Sequence, residues 1–153
     1  MFDTFGNLIP YELIPMQLHS METLFVTNER RETIWKDYLL FIDTMLQLKL
    51  GKFSQWIDGS FVTKKSLPND IDVLTLIDNT SFSQHEVLFR NLKREFKWVD
   101  YYFLREYPPT HTDYFRSEFD KKEWLFLFGT DRKHRNKGII ELNFSDDGNP
   151  KRT

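Results

Sequence analysis

The chain has 153 residues, a formal net charge of −2 and no cysteine. This length suits one compact domain, and the lack of cysteine excludes disulfide bridges and thiolate metal sites. The charge excludes a general attraction to nucleic acid or anionic membranes, so a phosphate-bearing partner must be held by local groups. We expect a cytoplasmic protein, because the sequence shows neither a secretory signal nor an apolar run of the roughly 18–20 residues that cross a bilayer.

The first half of the chain predicts one long helix and two strands. Residues 1–27 contain glycine and proline without a clear period and indicate an extended lead-in segment. From Glu29 to Leu48, apolar residues recur at three- and four-residue steps after Asn28, a good N-cap, and predict a helix. Strands are predicted over residues 53–57 and 70–77.

The second half predicts a helix, a strand, a second helix and a last strand, over residues 83–96, 98–104, 112–128 and 138–144. The first of these helices is expected to begin with the capping-box pattern of Ser83 and Glu86. Residues 145–153 are expected to form a frayed tail. The order of elements predicts one domain over residues 1–153 with an α/β (α+β) fold, in which helices cover a small mixed β-sheet.

The Asp70-Ile71-Asp72 triplet begins the second predicted strand. Side chains alternate along a strand, so both carboxylates face one side and Ile71 faces the other. Carboxylates this close repel unless a cation or a raised pKa compensates, and Mg²⁺ or Mn²⁺ is the cation that oxygen ligands favour. The alternative is a turn aspartate followed by a solvated one, with no metal.

The preceding strand ends in Gly59-Ser60, and Ser60 lies ten positions before Asp70. A glycine lets the backbone approach an anion closely, and a serine offers a hydroxyl to a phosphate. Thr63 and Lys65 add a donor and a cation, although an ordinary exposed loop would contain the same residues. A phosphate-binding turn beside a two-carboxylate metal site is what a protein needs to bind a nucleoside triphosphate through Mg²⁺.

These residues resemble the signature of the polymerase-β-type nucleotidyltransferase superfamily, a Gly-Ser turn followed by Asp-hydrophobic-Asp. Over most of its length the chain also resembles a family of small uncharacterised bacterial and phage nucleotidyltransferase-like proteins. The second resemblance is carried by Gly59-Ser60-Phe61-Val62-Thr63, Lys65, Pro68, Asp70, Asp72 and Lys137-Gly138-Ile139. Together they imply transfer of a nucleoside monophosphate, with AMP from ATP the expected case, onto a hydroxyl of a protein or RNA.

The superfamily resemblance also implies roles for individual residues. A third carboxylate is expected beside Asp70 and Asp72, and Asp100 fits best, with Glu141 as the competitor. The three aspartates would be the catalytic and metal-binding residues, with Mg²⁺ or Mn²⁺ as cofactor. The nucleotide-binding residues implied are Gly59, Ser60, Thr63 and Lys65.

The partner of the chain is a separate expectation. Its length leaves no room for a second substrate domain, and small superfamily members that it resembles act as antitoxins on a cognate toxin. The resemblance therefore implies a protein partner in a toxin–antitoxin or phage-defence pair. Two alternatives remain: an inactive binding module that neutralises a partner or senses a nucleotide, and an RNA-directed protein using the basic segment 132–137, which otherwise forms an exposed loop.

Overall fold

The computed structural model describes residues 1–92 and 95–145. The predicted frayed tail lies outside these residues, apart from Ser145. The elements in chain order are β1 (Leu13–Pro15), α1 (Leu18–Phe25), α2 (Glu29–Gln47), β2 (Phe53–Asp58), β3 (Ile71–Asp78), α3 (Asn79–Asn91), β4 (Val99–Glu106), α4 (Tyr114–Phe128) and β5 (Ile139–Phe144). The strands form one mixed sheet in the order β1-β5-β2-β3-β4, so the predicted α/β (α+β) fold is confirmed.

Most of the predicted elements are confirmed, with bounds shifted by one or two residues. Helix α2 begins as expected after Asn28, whose side-chain oxygen accepts a hydrogen bond of 2.9 Å from the backbone N–H of Arg31. Its apolar stripe is buried from Ile34 to Met45, and Leu48 at the end is partly buried. Among the described residues, no helix is both long enough and apolar enough to cross a membrane.

The predicted extended lead-in over residues 1–27 is wrong, because this segment contains a strand and a helix. β1 pairs in parallel with β5, and α1 buries Leu18, Met21 and Phe25. These three apolar residues span two helical turns. So short a run gives a weak helical period, and the prolines before it favoured an irregular segment.

Helix α3 begins earlier than the sequence predicted. Its N-cap is Asp78, whose carboxylate accepts hydrogen bonds from two backbone N–H groups of the first turn. Ser83 and Glu86 therefore lie inside the helix and do not form a capping box. The helix ends at Asn91 rather than near Phe96.

The sheet separates two apolar cores. Helices α1, α2 and α3 pack on one face and form the larger core with the buried residues there. On the other face, α4 contributes Phe128 and Trp124 to a smaller core with Trp56, Leu74 and Leu104. Because α4 is the one helix packed on this face among the described residues, part of the face stays open beyond it.

A buried polar chain fixes the register of β2 against β3. The hydroxyl of Tyr38 donates to Gln55 Oε1 over 2.6 Å, and Gln55 Nε2 donates to Thr75 Oγ1 over 3.1 Å. Gln55 and Thr75 are paired residues of the two strands. A slip of one residue would break this chain and move every side chain of a strand to the opposite face.

Candidate functional site

Three aspartates converge on the open part of the sheet. Asp72 lies on β3, Asp70 precedes it by two residues, and Asp100 on β4 is the paired neighbour of Asp72. One carboxylate oxygen of each lies within 4.8 Å of the other two, and all three side chains are half-buried. Three converging carboxylate oxygens are a donor set that a hard divalent cation prefers.

Asp100 reaches the aspartate pair and Glu141 does not. Glu141 lies on β5, is paired with Trp56, and accepts a hydrogen bond of 3.4 Å from the indole N–H of that residue. β2 separates β5 from β3. The carboxylate of Asp100 is held by the hydroxyl of Tyr102, which donates to its Oδ2 over 2.9 Å.

Burial, with the nearby like charges, raises the pKa of Asp70 and of Asp72. Burial raises the pKa of Asp72 to about 6, and the charges of Asp70 and Asp100 add to this effect. The pKa of Asp70 is also raised, first by burial and then by Asp100. Like charges at this separation destabilise the ionised trio, and a bound cation would remove the repulsion.

Sequence reasoning missed a fourth carboxylate, Asp58, which ends β2 and is the paired neighbour of Asp72. It is 3% exposed, and its Oδ2 lies 3.1 Å from Nζ of Lys137. Its Oδ1 is buried with no hydrogen-bond partner among the described residues. Burial raises its pKa to about 7, although Lys137 opposes the rise. The one sequence signal was that Asp58 directly precedes Gly59-Ser60.

Gly59 makes room for Asp72. Its φ angle is 84°, in the left-handed region that favours glycine. A Cβ atom at this position would lie 2.7 Å from Oδ2 and 2.9 Å from Cγ of Asp72. The glycine of the Gly-Ser pair is therefore required by the aspartate beside it, in addition to any approach of a phosphate.

The turn after Gly59 is a single 3-10 turn over Ser60–Val62. Thr63 closes it, since its hydroxyl donates to the carbonyl of Ser60 over 2.7 Å and accepts from the N–H of Lys65 over 3.1 Å. Thr63 thus shapes the turn through the hydroxyl that was expected to bind nucleotide. Ser60 and Lys65 line the same cleft as the aspartates.

Arg31 of α2 binds this turn from its buried side. Sequence reasoning did not single out this residue. Its buried guanidinium donates to the carbonyls of Phe25 and Phe61, and to those of Thr63 and Lys65 over 2.8 and 2.6 Å. The guanidinium therefore fixes the backbone of the turn and places a positive charge beneath it. The available signal was its spacing, because Arg31 continues the buried stripe of Ile34, Trp35 and Tyr38.

The aspartates and the turn share a cleft of about 800 Å³ with the basic segment 132–137. The expectation of an exposed loop holds for Arg132 and Lys133. Arg135 pairs with Asp131 at 2.7 Å, and Lys137 pairs with Asp58. The aromatic part of the lining comes from Phe5, Tyr102, Trp124 and Phe128. Acidic and basic walls in one cleft can hold a cation together with an anionic group.

We expect Asp72→Asn to stabilise the metal-free protein at neutral pH. The raised pKa means that the folded chain binds the proton of Asp72 more tightly than the unfolded chain, so Asp72 lowers the unfolding free energy as pH rises from 3.8 to about 6. The variant has no carboxyl group at this position, so its unfolding free energy does not fall for this reason. Its advantage should grow from near zero at about pH 4 to on the order of 1–2 kcal/mol at about pH 7, measured by urea unfolding in a chelator.

Glu12→Gln, which removes an exposed carboxylate outside the cleft lining, is the control and should show no such growth. A difference between Asp72→Asn and wild type that stays constant over this pH range would show that burial and the neighbouring aspartates do not raise the pKa of Asp72.

We expect Arg31→Met to lower the unfolding free energy by about 2–4 kcal/mol, because several carbonyls of the turn lose their buried donor. Arg30→Met is the matched control, since Arg30 is the adjacent arginine, is partly exposed and donates to one carbonyl, that of Pro68. Its cost should stay below about 1 kcal/mol. Equal losses in urea unfolding would contradict the role assigned to Arg31.

Comparison with known proteins gives a family and no activity. No curated protein and no solved structure matches the chain. A family of unknown function, DUF6932, matches residues 1–143, which include every residue of the cleft described above. The chain therefore belongs to the DUF6932 family of unknown function.

Proposed function

We propose that the chain is a metal-dependent nucleotidyltransferase, which moves a nucleoside monophosphate, AMP from ATP, onto a hydroxyl and releases pyrophosphate. The observation that carries the proposal is the convergence of Asp70, Asp72 and Asp100 within 4.8 Å, in a cleft that also contains Gly59 and Ser60. The resemblance of the same residues to the superfamily signature supports it.

The donor set fits Mg²⁺ or Mn²⁺, since all three side chains offer carboxylate oxygens. A divalent cation held by Asp70, Asp72 and Asp100 would neutralise charge on the triphosphate and polarise its α-phosphate. The remaining negative charge needs protein cations. Lys65 and Arg132 line the cleft and are exposed to an incoming phosphate.

The chain's own groups position the substrate in this proposal. The Gly59-Ser60 turn, held rigid by Arg31, would contact the β- and γ-phosphates through its backbone and the Ser60 hydroxyl. The rings of Tyr102 and Trp124 lie 5.0 Å apart, centroid to centroid, at the cleft wall. Aromatic side chains at a cleft wall offer an apolar surface against which the nucleoside can pack.

The proposed reaction is an in-line displacement. The hydroxyl oxygen of the acceptor bonds to the α-phosphorus, the bond from that phosphorus to its bridging oxygen breaks, and pyrophosphate leaves. Asp100 accepts the hydroxyl proton. The hydrogen bond from Tyr102 to one oxygen of Asp100 restrains the rotation of the carboxylate that accepts this proton.

We propose a protein acceptor, such as a cognate toxin. The resemblance to small superfamily members that act as antitoxins on a cognate toxin supports this acceptor. Arg132 and Lys133 are exposed at the cleft and would contact it. If the acceptor were RNA, the protein would bind RNA with an affinity that falls steeply as the salt concentration rises. Nucleotide binding without transfer would favour the alternative of an inactive binding module.

We expect Mg²⁺ with ATP to raise the melting temperature, because a ligand that binds the folded state stabilises it by mass action. At a hundredfold excess over the dissociation constant the rise should be about 5–10 °C for a chain of this size. The double variant Asp70→Asn with Asp72→Asn should abolish the rise, and Glu141→Gln, an acid on the same sheet outside the trio, should keep it. An unchanged wild-type melting curve at millimolar metal and nucleotide would refute the site.

We expect Asp100→Ala to bind the nucleotide through the cation that Asp70 and Asp72 still hold. Transfer should slow by at least about 10²–10⁴-fold, because the variant loses the general base and one ligand of the cation. The assay follows α-labelled ATP incubated with the protein and a nucleotide-free lysate of its source cells, measuring labelled acceptor and released pyrophosphate. Glu141→Gln should transfer label like wild type. Full activity in Asp100→Ala would remove Asp100 from the mechanism, and a wild type that binds ATP but labels nothing would support the binding module.

A further inference from the structure

Helix α4 is apolar on two opposite sides. Trp124 and Phe128 pack against the sheet, whereas Phe115, Phe119 and Phe126 are 80%, 62% and 70% exposed. A helix that packs on a sheet with one side ordinarily carries polar residues on the other. Three exposed phenylalanines on one helix therefore call for a partner surface.

The exposed phenylalanines lie on one stripe, which we call the α4 stripe: Phe115, Phe119, Lys122 and Phe126. These positions follow one another at steps of four, three and four residues, so they share one side of the helix. The stripe points away from the sheet and from the cleft, because Trp124 and Phe128 occupy the opposite side.

The stripe has the size of the largest apolar patch on a typical monomer, and such patches are often functional. At their observed exposures, the three phenylalanines leave about 400 Å² of mostly apolar surface in contact with water. That value alone is in the range of the largest apolar patch on a typical monomer, about 300–600 Å². It is also about half of the roughly 800 Å² that each partner buries in a standard interface.

We propose that the α4 stripe is the interface of a homodimer, in which the α4 helices of two copies pack antiparallel about a two-fold axis. The spacing of the stripe residues, four, three and four positions, is the same when it is read in either direction along the helix. In an antiparallel pair, Phe115 would meet Phe126 of the second copy, and Phe119 would meet Lys122 of the second copy, whose methylene stem can cover the ring. A partner of different sequence would not require this symmetry.

The charges beside the stripe fit the same arrangement. Arg116 and Glu123 flank it on one side, two helical turns apart, and both are exposed. Within the described part of the chain, neither makes an ion pair. In the antiparallel register, Arg116 of each copy lies on the same flank as Glu123 of the other and is offset from it by two positions, about 3 Å along the helix axis. The long side chains can span this offset, so the pair forms twice. Because the cleft stays open, this proposal does not depend on the proposed reaction.

The test is the mass of the full chain in solution, measured by sedimentation over a concentration series. Wild type should dimerise at micromolar concentration, and Phe119→Asp should raise the dimer dissociation constant by at least about 100-fold. Val87→Asp, on the equally exposed surface of α3, should leave it unchanged. Circular dichroism confirms that each variant is folded.

Reversing the charges of Arg116 and Glu123 tests whether the partner at the stripe is a second copy of the chain. Arg116→Glu and Glu123→Arg should each weaken the dimer by about tenfold, and the double variant should restore it, because the pairs re-form with reversed signs. A wild type that stays monomeric at high micromolar concentration would overturn the proposal. A dimer that tolerates Phe119→Asp, or a double variant weaker than both single ones, would overturn it as well.

Discussion

Strands that pair in register bring the side chains of paired residues close together, so equal charges at paired positions repel. In this chain Asp58, Asp72 and Asp100 are paired across β2, β3 and β4, and Asp70 adds a fourth carboxylate on the same side. One of these charges is compensated within the fold, because Lys137 forms an ion pair with Asp58. The other three face an open cleft, where the structure leaves room for a cation. This uncompensated negative charge is the main electrostatic feature of the cleft.

The scaffold restrains Asp72 and the turn beside it through contacts from three directions. The polar chain of Tyr38, Gln55 and Thr75 fixes the register of β2 and β3, and Gly59 leaves the space that the Asp72 carboxylate fills. Arg31 then fastens the turn that follows Gly59 to the large core. The contacts of Gly59 and Arg31 therefore hold Asp72 and the Gly59-Ser60 turn in fixed relative positions, as the proposed reaction would require.

Sequence reasoning succeeded where the signal was local. The period of α2, the alternation along β3 and the short spacing between Ser60 and Asp70 each lie within about twenty consecutive residues. It failed where a contact joins distant segments. Asp58 and Lys137 are far apart in the chain, and nothing local marks them as a pair. The guanidinium of Arg31 binds carbonyls, which every residue carries, and Asp78 ends a strand and caps a helix with no loop between them to mark the boundary.

The central claim is that Asp70, Asp72 and Asp100 hold one divalent cation beside the Gly59-Ser60 turn. Anomalous scattering from a crystal grown with Mn²⁺ and a non-hydrolysable ATP analogue tests it most directly. The account predicts a manganese peak at coordination distance, about 2.0–2.3 Å, from oxygens of all three carboxylates, with the triphosphate against the turn. A cleft with no peak at millimolar Mn²⁺, or with manganese bound away from the three aspartates, would contradict it.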